Sequence, residues 1–327
     1  RSSDLHRQIF ILGIHAAHIS ILGSQNNFMS VVTTKELHEG FLRFDRHTSI
    51  HDMRERITGL IEQFRVNQIF QILTGQFFNG SIINGAIGTT NQVQDASLIQ
   101  IDGVIIGNEV LDAMASEVIR WTENGIEQMG VSIIDQQFAW AQRPVSDERI
   151  MAEAVRIQPD KLPFTSELHL NQSAFIATLA QKLTRGAIIM IDYGFDEAQY
   201  YHPQRSMGTL IGHYRHHVVD DPFFWPGLMD LTCHVNFTAM AQAAVDNDLD
   251  LIGYTSQAHF LFNLGITEVL LAEHPDVNSK EYLQAASAMQ KLVAPHEMGE
   301  LFKVIAMGKG VDVDWQGFAN GDWCHKL

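Results

Sequence analysis

The sequence predicts an α/β fold built on a mainly parallel sheet. Three observations carry that expectation. Two stretches, 103–106 and 186–191, are continuous apolar strands, as expected where helices cover both faces of a parallel sheet. Segments with helical spacing alternate with the strands along the chain. Both strands break off into polar residues, Asn108 and Glu109 after the first and Asp192 after the second. In open α/β sheets ligands bind at that carboxyl edge.

The elements follow in order. Residues 1–100 are predicted to hold an N-terminal helical region and the start of the sheet. Within them 53–64 has helical spacing, with Ile57, Leu60, Ile61 and Phe64 on one face, and 69–73 reads as a short strand. Residues 101–327 are predicted to form the core. Strand 103–106 leads into 109–120, read as a turn or the start of a helix. A helix over 171–183 carries the stripe Phe175, Ile176, Leu179 and Leu183. Strand 186–191 follows. The span 195–237 is polar, aromatic and rich in His and Pro, the composition of an insertion covering a pocket. Helix 237–245, strand 249–253, helix 279–292 and strand 302–307 complete the pattern.

Bulk composition narrows the function. The 327 residues suffice for one large or two ordinary domains. With 46% hydrophobic and 18% charged residues the chain is globular. A formal net charge of −16 argues against nucleic-acid binding, which requires cations to replace phosphate counterions. The same charge suits a basic protein partner. Cys233 and Cys324 form neither a CxxC nor a zinc pattern, and a reducing compartment is the simplest fit. No apolar run reaches the roughly 18 residues of a membrane span.

Candidate chemistry gathers at the two strand ends. The motif GVIIGNEVLDA (103–113) delivers Asn108, Glu109 and Asp112, and IIMIDYG (188–194) delivers Asp192 and Tyr193. On neighbouring parallel strands these groups would share one crevice and favour a cationic substrate or the hydroxyls of a nucleotide sugar. The alternative is local: Glu109 and Asp112 serving a helix dipole, and Asp192 capping a turn. His213, Tyr214, Arg215, His216 and His217 form a second cluster. On a helix His213 and His217 would share a face, but no acidic residue completes a metalloprotease HExxH pattern. A pocket-lining loop is the preferred reading, with no metal. Asp230 and His234 form a candidate orienting pair after the Pro226-Gly227 turn. The chain has no GxSxG elbow and no Walker A loop, so hydrolase and NTPase readings lack support.

These segments together resemble the MidA-type family of S-adenosylmethionine-dependent methyltransferases, in its bacterial branch. The matching pieces, in family order, are GVIIGNEVLDAM (103–114), SELHLNQ (166–172), GAIIMIDYGF (186–195) and YYHPQRSMGTLIGHYRHH (200–217). They continue with PGLMDLTCHVNF (226–237), GYTSQAHFLFNLGI (253–266) and MGELFKVIAMGKG (298–310). The resemblance implies a Rossmann-like class I methyltransferase sheet with an antiparallel last strand and added helical elements. It implies S-adenosylmethionine as cofactor and an accessible arginine of a partner protein as substrate. By that resemblance Glu109 and Asp112 would hold the guanidinium, with Asp192 shaping the crevice and Asn108 beside the methyl donor. Tyr193, His213, Arg215, His216, Asp230 and His234 would line the substrate side.

The cofactor loop would be ILTGQFFNG (72–80), through Gly75 and Gly80. Phe77 and Phe78 stand there where close approach favours small residues. That departure motivates an alternative, a non-catalytic assembly protein that keeps the fold. Asn236 stands where the family usually has an acid. A cytoplasmic location is expected, with the mitochondrial matrix as the alternative, and a homodimer is a candidate assembly.

Overall fold

The computed structural model describes residues 18–23, 28–31, 100–215 and 217–327. The helix expected at 53–64 and the strand at 69–73 lie outside these residues. In chain order the elements begin with β1 (His18–Gly23), β2 (Phe28–Val31), β3 (Ile101–Asn108), β4 (Glu117–Thr122), β5 (Gly125–Ile134) and β6 (Gln137–Pro144). Next come α1 (Glu148–Ile157), β7 (Phe164–Leu168), α2 (Leu170–Lys182), β8 (Leu183–Phe195) and the short α3 (Glu197–Tyr200). Then follow β9 (Ile211–Tyr214), β10 (His217–Val219), β11 (Asp230–Thr232), β12 (Val235–Asn236), α4 (Phe237–Val245) and β13 (Asp250–Ser256). After β13 come α5 (Gln257–Asn263), α6 (Ile266–Glu273), α7 (Lys280–Val293), α8 (Met298–Leu301) and β14 (Phe302–Lys309), followed by two short 3-10 turns.

The main sheet has the order β13-β14-β8-β3-β1-β2, with β12 alongside the end of β8. Apolar residues alternate between its two buried faces. Ile188 and Met190 of β8, with Ile305 and Met307 of β14, pack under Ile176 and Leu179 of α2 and Phe237 and Met240 of α4. On the other face Ile189, Val304 and Ala306 pack against Phe260 of α5, against Leu264 just after it and against Phe318. Burial on both sides is why the 186–191 run shows no polar alternation. Gly186, at φ 133°, lies so close to the Gly103 carbonyl on β3 that a Cβ would collide with it.

The sheet is mixed rather than mainly parallel. The β3–β8 and β12–β8 ladders are parallel. The β1–β2, β1–β3, β8–β14 and β13–β14 ladders are antiparallel. The expected antiparallel last strand is present as β14, which enters between β8 and β13. Hydrophobic patterning identifies a strand but carries no information about its direction.

A second correction concerns 109–120. Residues 109–116 form a turn, and 117–122 are β4, which opens a four-stranded sheet of order β6-β5-β4-β7. Ile119, Trp121, Phe164 and Leu168 bury its inner face against Ile150 and Ala154 of α1. The β5–β6 hairpin turns on Asp135 and Gln136, both at positive φ, the two-residue geometry that fits strand twist. A third, small sheet has the order β10-β9-β11.

Candidate active site

The site begins where β3 ends. Glu109 adopts a left-handed φ of 50°, a conformation that costs a non-glycine residue about 1–2 kcal/mol. Its backbone N–H donates to the Ile191 carbonyl of β8 at 2.9 Å, so the chain leaves the sheet while still tied to its parallel neighbour. The Asn108 amide donates to Glu109 Oε1 at 3.2 Å, and both side chains are half-buried.

Asp192, on β8, fixes the turn that follows. Its Oδ2 accepts from the backbone N–H groups of Val110 (3.1 Å), Leu111 (2.9 Å) and Asp112 (3.3 Å). Its Oδ1 accepts from Tyr193 N at 2.9 Å. The carboxylate is only 1% exposed. Burial and the neighbouring Asp112 charge push its pKa upward, and the converging N–H groups oppose them. This is the geometry of a turn cap spanning some eighty positions of sequence.

That turn presents Asp112. The Tyr193 hydroxyl donates to Asp112 Oδ2 at 2.6 Å, while Asp112 Oδ1 is buried without a protein partner. Burial pushes the Asp112 pKa up to about 6, with the Tyr193 hydrogen bond opposing and the Glu109 and Asp230 charges reinforcing. The Asp112 backbone is held too, because its carbonyl accepts from Cys233 N at 3.0 Å. Gln172, at the start of α2, donates to the Leu111 carbonyl at 2.6 Å and leaves its own buried Oε1 unpartnered.

His234 closes one wall. Its ring stacks on Phe195 at 5.1 Å and meets Tyr193 edge-on at 5.1 Å, and the Arg205 guanidinium covers Phe195 from 3.9 Å. Burial pushes the His234 pKa down to about 4, with the Arg205 and Lys303 charges adding to it, and its Nδ1 is buried without a partner. His169 is more enclosed. It meets Tyr200 edge-on at 4.8 Å, both ring nitrogens lack partners, and burial holds its pKa near 3. Both rings are therefore neutral near neutral pH.

Glu167 anchors the covering segment. Buried on β7, it accepts from the Tyr200 hydroxyl (2.7 Å), Thr209 N (3.0 Å) and Leu210 N (3.0 Å). Gly208, at φ 77°, passes so close that a Cβ would meet Glu167 Oε1. Thr209 Oγ1 in turn accepts from His234 N at 3.0 Å. A continuous path of hydrogen bonds and backbone thus runs from Glu167 through Thr209 and His234–Cys233 to Asp112.

The remaining predicted residues fall around this frame. His213 lies on β9 opposite Asp230 of β11, and both are half-buried. His213 and His217 belong to the adjacent strands β9 and β10, so they do not share a helix face. Among the described residues no group of three His, Cys, Asp or Glu could hold a metal. Arg215 is exposed at the tight turn between β9 and β10, with its guanidinium 5.3 Å over the Tyr214 ring. Gly75, Gly80 and His216 lie outside the described residues. Asn236 caps α4, accepting from Ala239 N at 3.2 Å, and donates to Glu197 at 3.3 Å.

The edge therefore joins a half-buried amide to two carboxylates, one with an unpartnered buried oxygen. This donor and acceptor set fits a polar nucleoside whose sulfonium carries positive charge. Residues 83–255, more than half of the chain, match the family described as "Putative S-adenosyl-L-methionine-dependent methyltransferase". The chain belongs to this MidA-type methyltransferase family.

Two solved structures from Burkholderia thailandensis resemble this MidA-type chain at 46% identity. One is the native structure of an uncharacterized protein (TM-score 0.66), matched over 70% of this chain and 61% of that one. The other is bound to S-adenosyl-homocysteine (TM-score 0.67), matched over 71% of this chain and 60% of that one. The mitochondrial protein arginine methyltransferase NDUFAF7 of Danio rerio is 28% identical over 214 residues, 62% of this chain and 47% of that protein. The chain thus spans about half the length of that curated relative and about three fifths of the two solved proteins.

Glu167, His169 and Gln172 are site features of this MidA-type chain that residue-by-residue reading of the sequence passes over. All three sit in SELHLNQ, a segment whose value to the resemblance was its wording. The available signal was a Glu, a His and a Gln in a segment leading into a helix with no cap of its own.

Proposed function

We propose that the chain transfers a methyl group from S-adenosylmethionine to an arginine side chain of a partner protein. The observation that carries this reading is the pair Glu109 and Asp112 at the end of β3. One is half-buried, and the other is buried with an oxygen left over. A planar guanidinium has N–H donors on two edges, and two carboxylates can satisfy them while fixing its plane. The relation to NDUFAF7, itself a protein arginine methyltransferase, supports the same substrate.

When bound, S-adenosylmethionine supplies an electrophilic methyl group and departs as the thioether when the N–C bond forms. Asn108 would hold it from β3, with Gly75 and Gly80 the proposed loop on its other side. Glu109 and Asp112 orient the guanidinium so that one nitrogen faces the methyl, a task of positioning and charge placement. Methylation leaves the guanidinium with one proton too many. Asp112, its pKa raised to about 6, is the group placed to take that proton from the substituted nitrogen. Asp192 and Tyr193 act as positioning residues, holding the backbone and the carboxylate of Asp112. The neutral rings of His169 and His234 add no positive charge to compete with the substrate.

Residues 101–327 are proposed as the catalytic core, with 195–237 as the cover over the substrate. The parallel β3–β8 pair with antiparallel β14 beside it supports a class I Rossmann-like arrangement. No helix among the described residues is long and apolar enough to cross a membrane.

The test uses labelled methyl donor in a cell lysate, followed by protein hydrolysis and chromatography of the amino acids. Label in methylarginine, reduced in Glu109→Gln and lost in Asp112→Asn while S-adenosyl-homocysteine still binds by calorimetry, is the expected result. Label only in small metabolites overturns the protein substrate. A folded chain that binds no S-adenosyl-homocysteine overturns the enzyme and leaves the assembly protein.

A further inference from the structure

Six aromatic side chains form two ring clusters that adjoin along the chain at Phe223 and Phe224. Trp140 and Phe138 of β6 meet Phe223, with ring centroids at 5.1 and 6.4 Å. The next two residues in the chain, Phe224 and Trp225, each lie 6.3 Å from Tyr214 of β9. Four of the rings are exposed in part: Phe138 48%, Trp140 39%, Phe224 52% and Trp225 47%. Solvent-exposed aromatic rings clustered in this way mark a candidate interaction site.

The surface is built, not incidental. Asp221 Oδ1 accepts from Phe223 N at 2.9 Å, and its carbonyl accepts from Phe224 N, so one acidic turn aims both rings. The surface is also linked to the candidate site through the backbone. Tyr214 follows His213, which pairs with Asp230, and β11 runs from Asp230 into Cys233, whose N–H holds the Asp112 carbonyl. The Asp230 charge reaches Asp112 itself.

Two features say what fits there. Aromatic faces attract guanidinium and ammonium groups, and Arg215 already lies over Tyr214 in this way. The chain carries a net charge of −16, and exposed Asp220 and Asp221 stand at the root of the surface. We infer that this aromatic surface docks an extended basic segment of the protein substrate, whose arginine and lysine side chains lie over the rings while one arginine reaches Glu109 and Asp112. This rests on the proposed function for its substrate, but docking itself needs no methyl transfer.

The experiment measures binding of a fluorescein-labelled arginine-glycine peptide by anisotropy, with no methyl donor present. Trp140→Ala combined with Trp225→Ala leaves the net charge unchanged, so general attraction to an acidic protein persists and only ring contact is removed. Binding should weaken about tenfold or more, the loss expected when aromatic anchors are removed. Calorimetric binding of S-adenosyl-homocysteine should be unaffected, which also reports an intact fold. Phe224→Arg, which places a cation on the surface, should weaken binding to a similar degree. Equal peptide affinity in wild type and both variants overturns the proposal. So does sedimentation showing a wild-type dimer that the double substitution dissociates, since a second copy then occupies the surface. If the peptide docks and no methylarginine forms in the lysate assay, docking stands and the methyltransferase reading alone fails.

Discussion

The hydroxyl of Tyr193 donates to Asp112 Oδ2 at 2.6 Å, and the second oxygen of Asp112 has no protein partner. The bond joins the ends of two parallel strands through side chains. It occupies one oxygen of the carboxylate and leaves the other for a ligand. Asp112 is thus oriented before any substrate arrives.

Asp112 should trade stability for function. Its folded pKa of about 6 lies above the ordinary carboxylate value of 3.8. Stability linked to it is therefore fullest below that lower value and is lost as pH rises through the folded one. Asp112→Asn should raise stability by about 1–3 kcal/mol near pH 8. The gain should vanish near pH 4, and methyl transfer should be lost at every pH. Chemical denaturation at both pH values reads the first effect. An Asn variant no more stable at the higher pH would show that burial does not strain this charge.

The pH profile of activity should carry the same group. In wild type, kcat/KM should rise with pH as Asp112 ionises and level off above about pH 6–7. Glu109→Gln lowers the negative charge beside Asp112, so the midpoint of its residual activity should move downward. An unmoved midpoint would assign the limb to a different group.

Asp192→Ala should act through the backbone. Three buried N–H groups of the 110–112 turn would lose their acceptor. A cost of about 3 kcal/mol or more is expected, with Asp192→Asn milder because one oxygen remains. Urea titration measures both. An alanine variant within experimental error of wild type would mean that the turn holds itself.

His169 and His234 should make the fold sensitive to acid. Their folded pKa values, near 3 and 4, lie below the ordinary histidine value of 6.5. Unfolded chains gain protons below that upper value and the folded state does not. Stability should therefore fall as pH drops from about 6.5 toward 4. His169→Phe, which keeps the ring against Tyr200, should flatten that decline. Thermal melts across the range, read by circular dichroism, provide the comparison.

Gly208→Ala should loosen the covering segment. A Cβ there meets Glu167 Oε1, and a φ of 77° is strained for alanine. The Glu167 bonds to Thr209 and Leu210 would shift, and Thr209 supports the backbone of His234. Substrate KM should rise more than donor affinity falls. Steady-state kinetics paired with calorimetry separates the two.

Sequence patterning reached the strands and helices buried on a clear face. The helix expected at 237–245 coincides with α4, and the predicted strand ends supply Asn108, Glu109, Asp112, Asp192 and Tyr193 to one place. The four-stranded sheet was not legible. Its β5 and β6 expose apolar side chains such as Ile133 and Phe138, so they lack the polar alternation of a one-sided sheet. Their turn uses Asp135-Gln136 in place of a glycine signal. The work of Glu167 was equally hidden, because its partners Thr209 and Leu210 lie more than forty residues away.

The position of β14 also sets an order of assembly. Strands β8 and β13 flank it, yet β14 is made after both, more than a hundred residues beyond β8. During synthesis the inner edges of β8 and β13 stay unpaired until β14 emerges, and Ile188, Met190 and Tyr254 wait without their final cover. A nascent chain halted before Phe302 would present open, apolar strand edges, the surface that recruits chaperones or aggregates. Of the described strands, the one made after all the others fills the gap between β8 and β13.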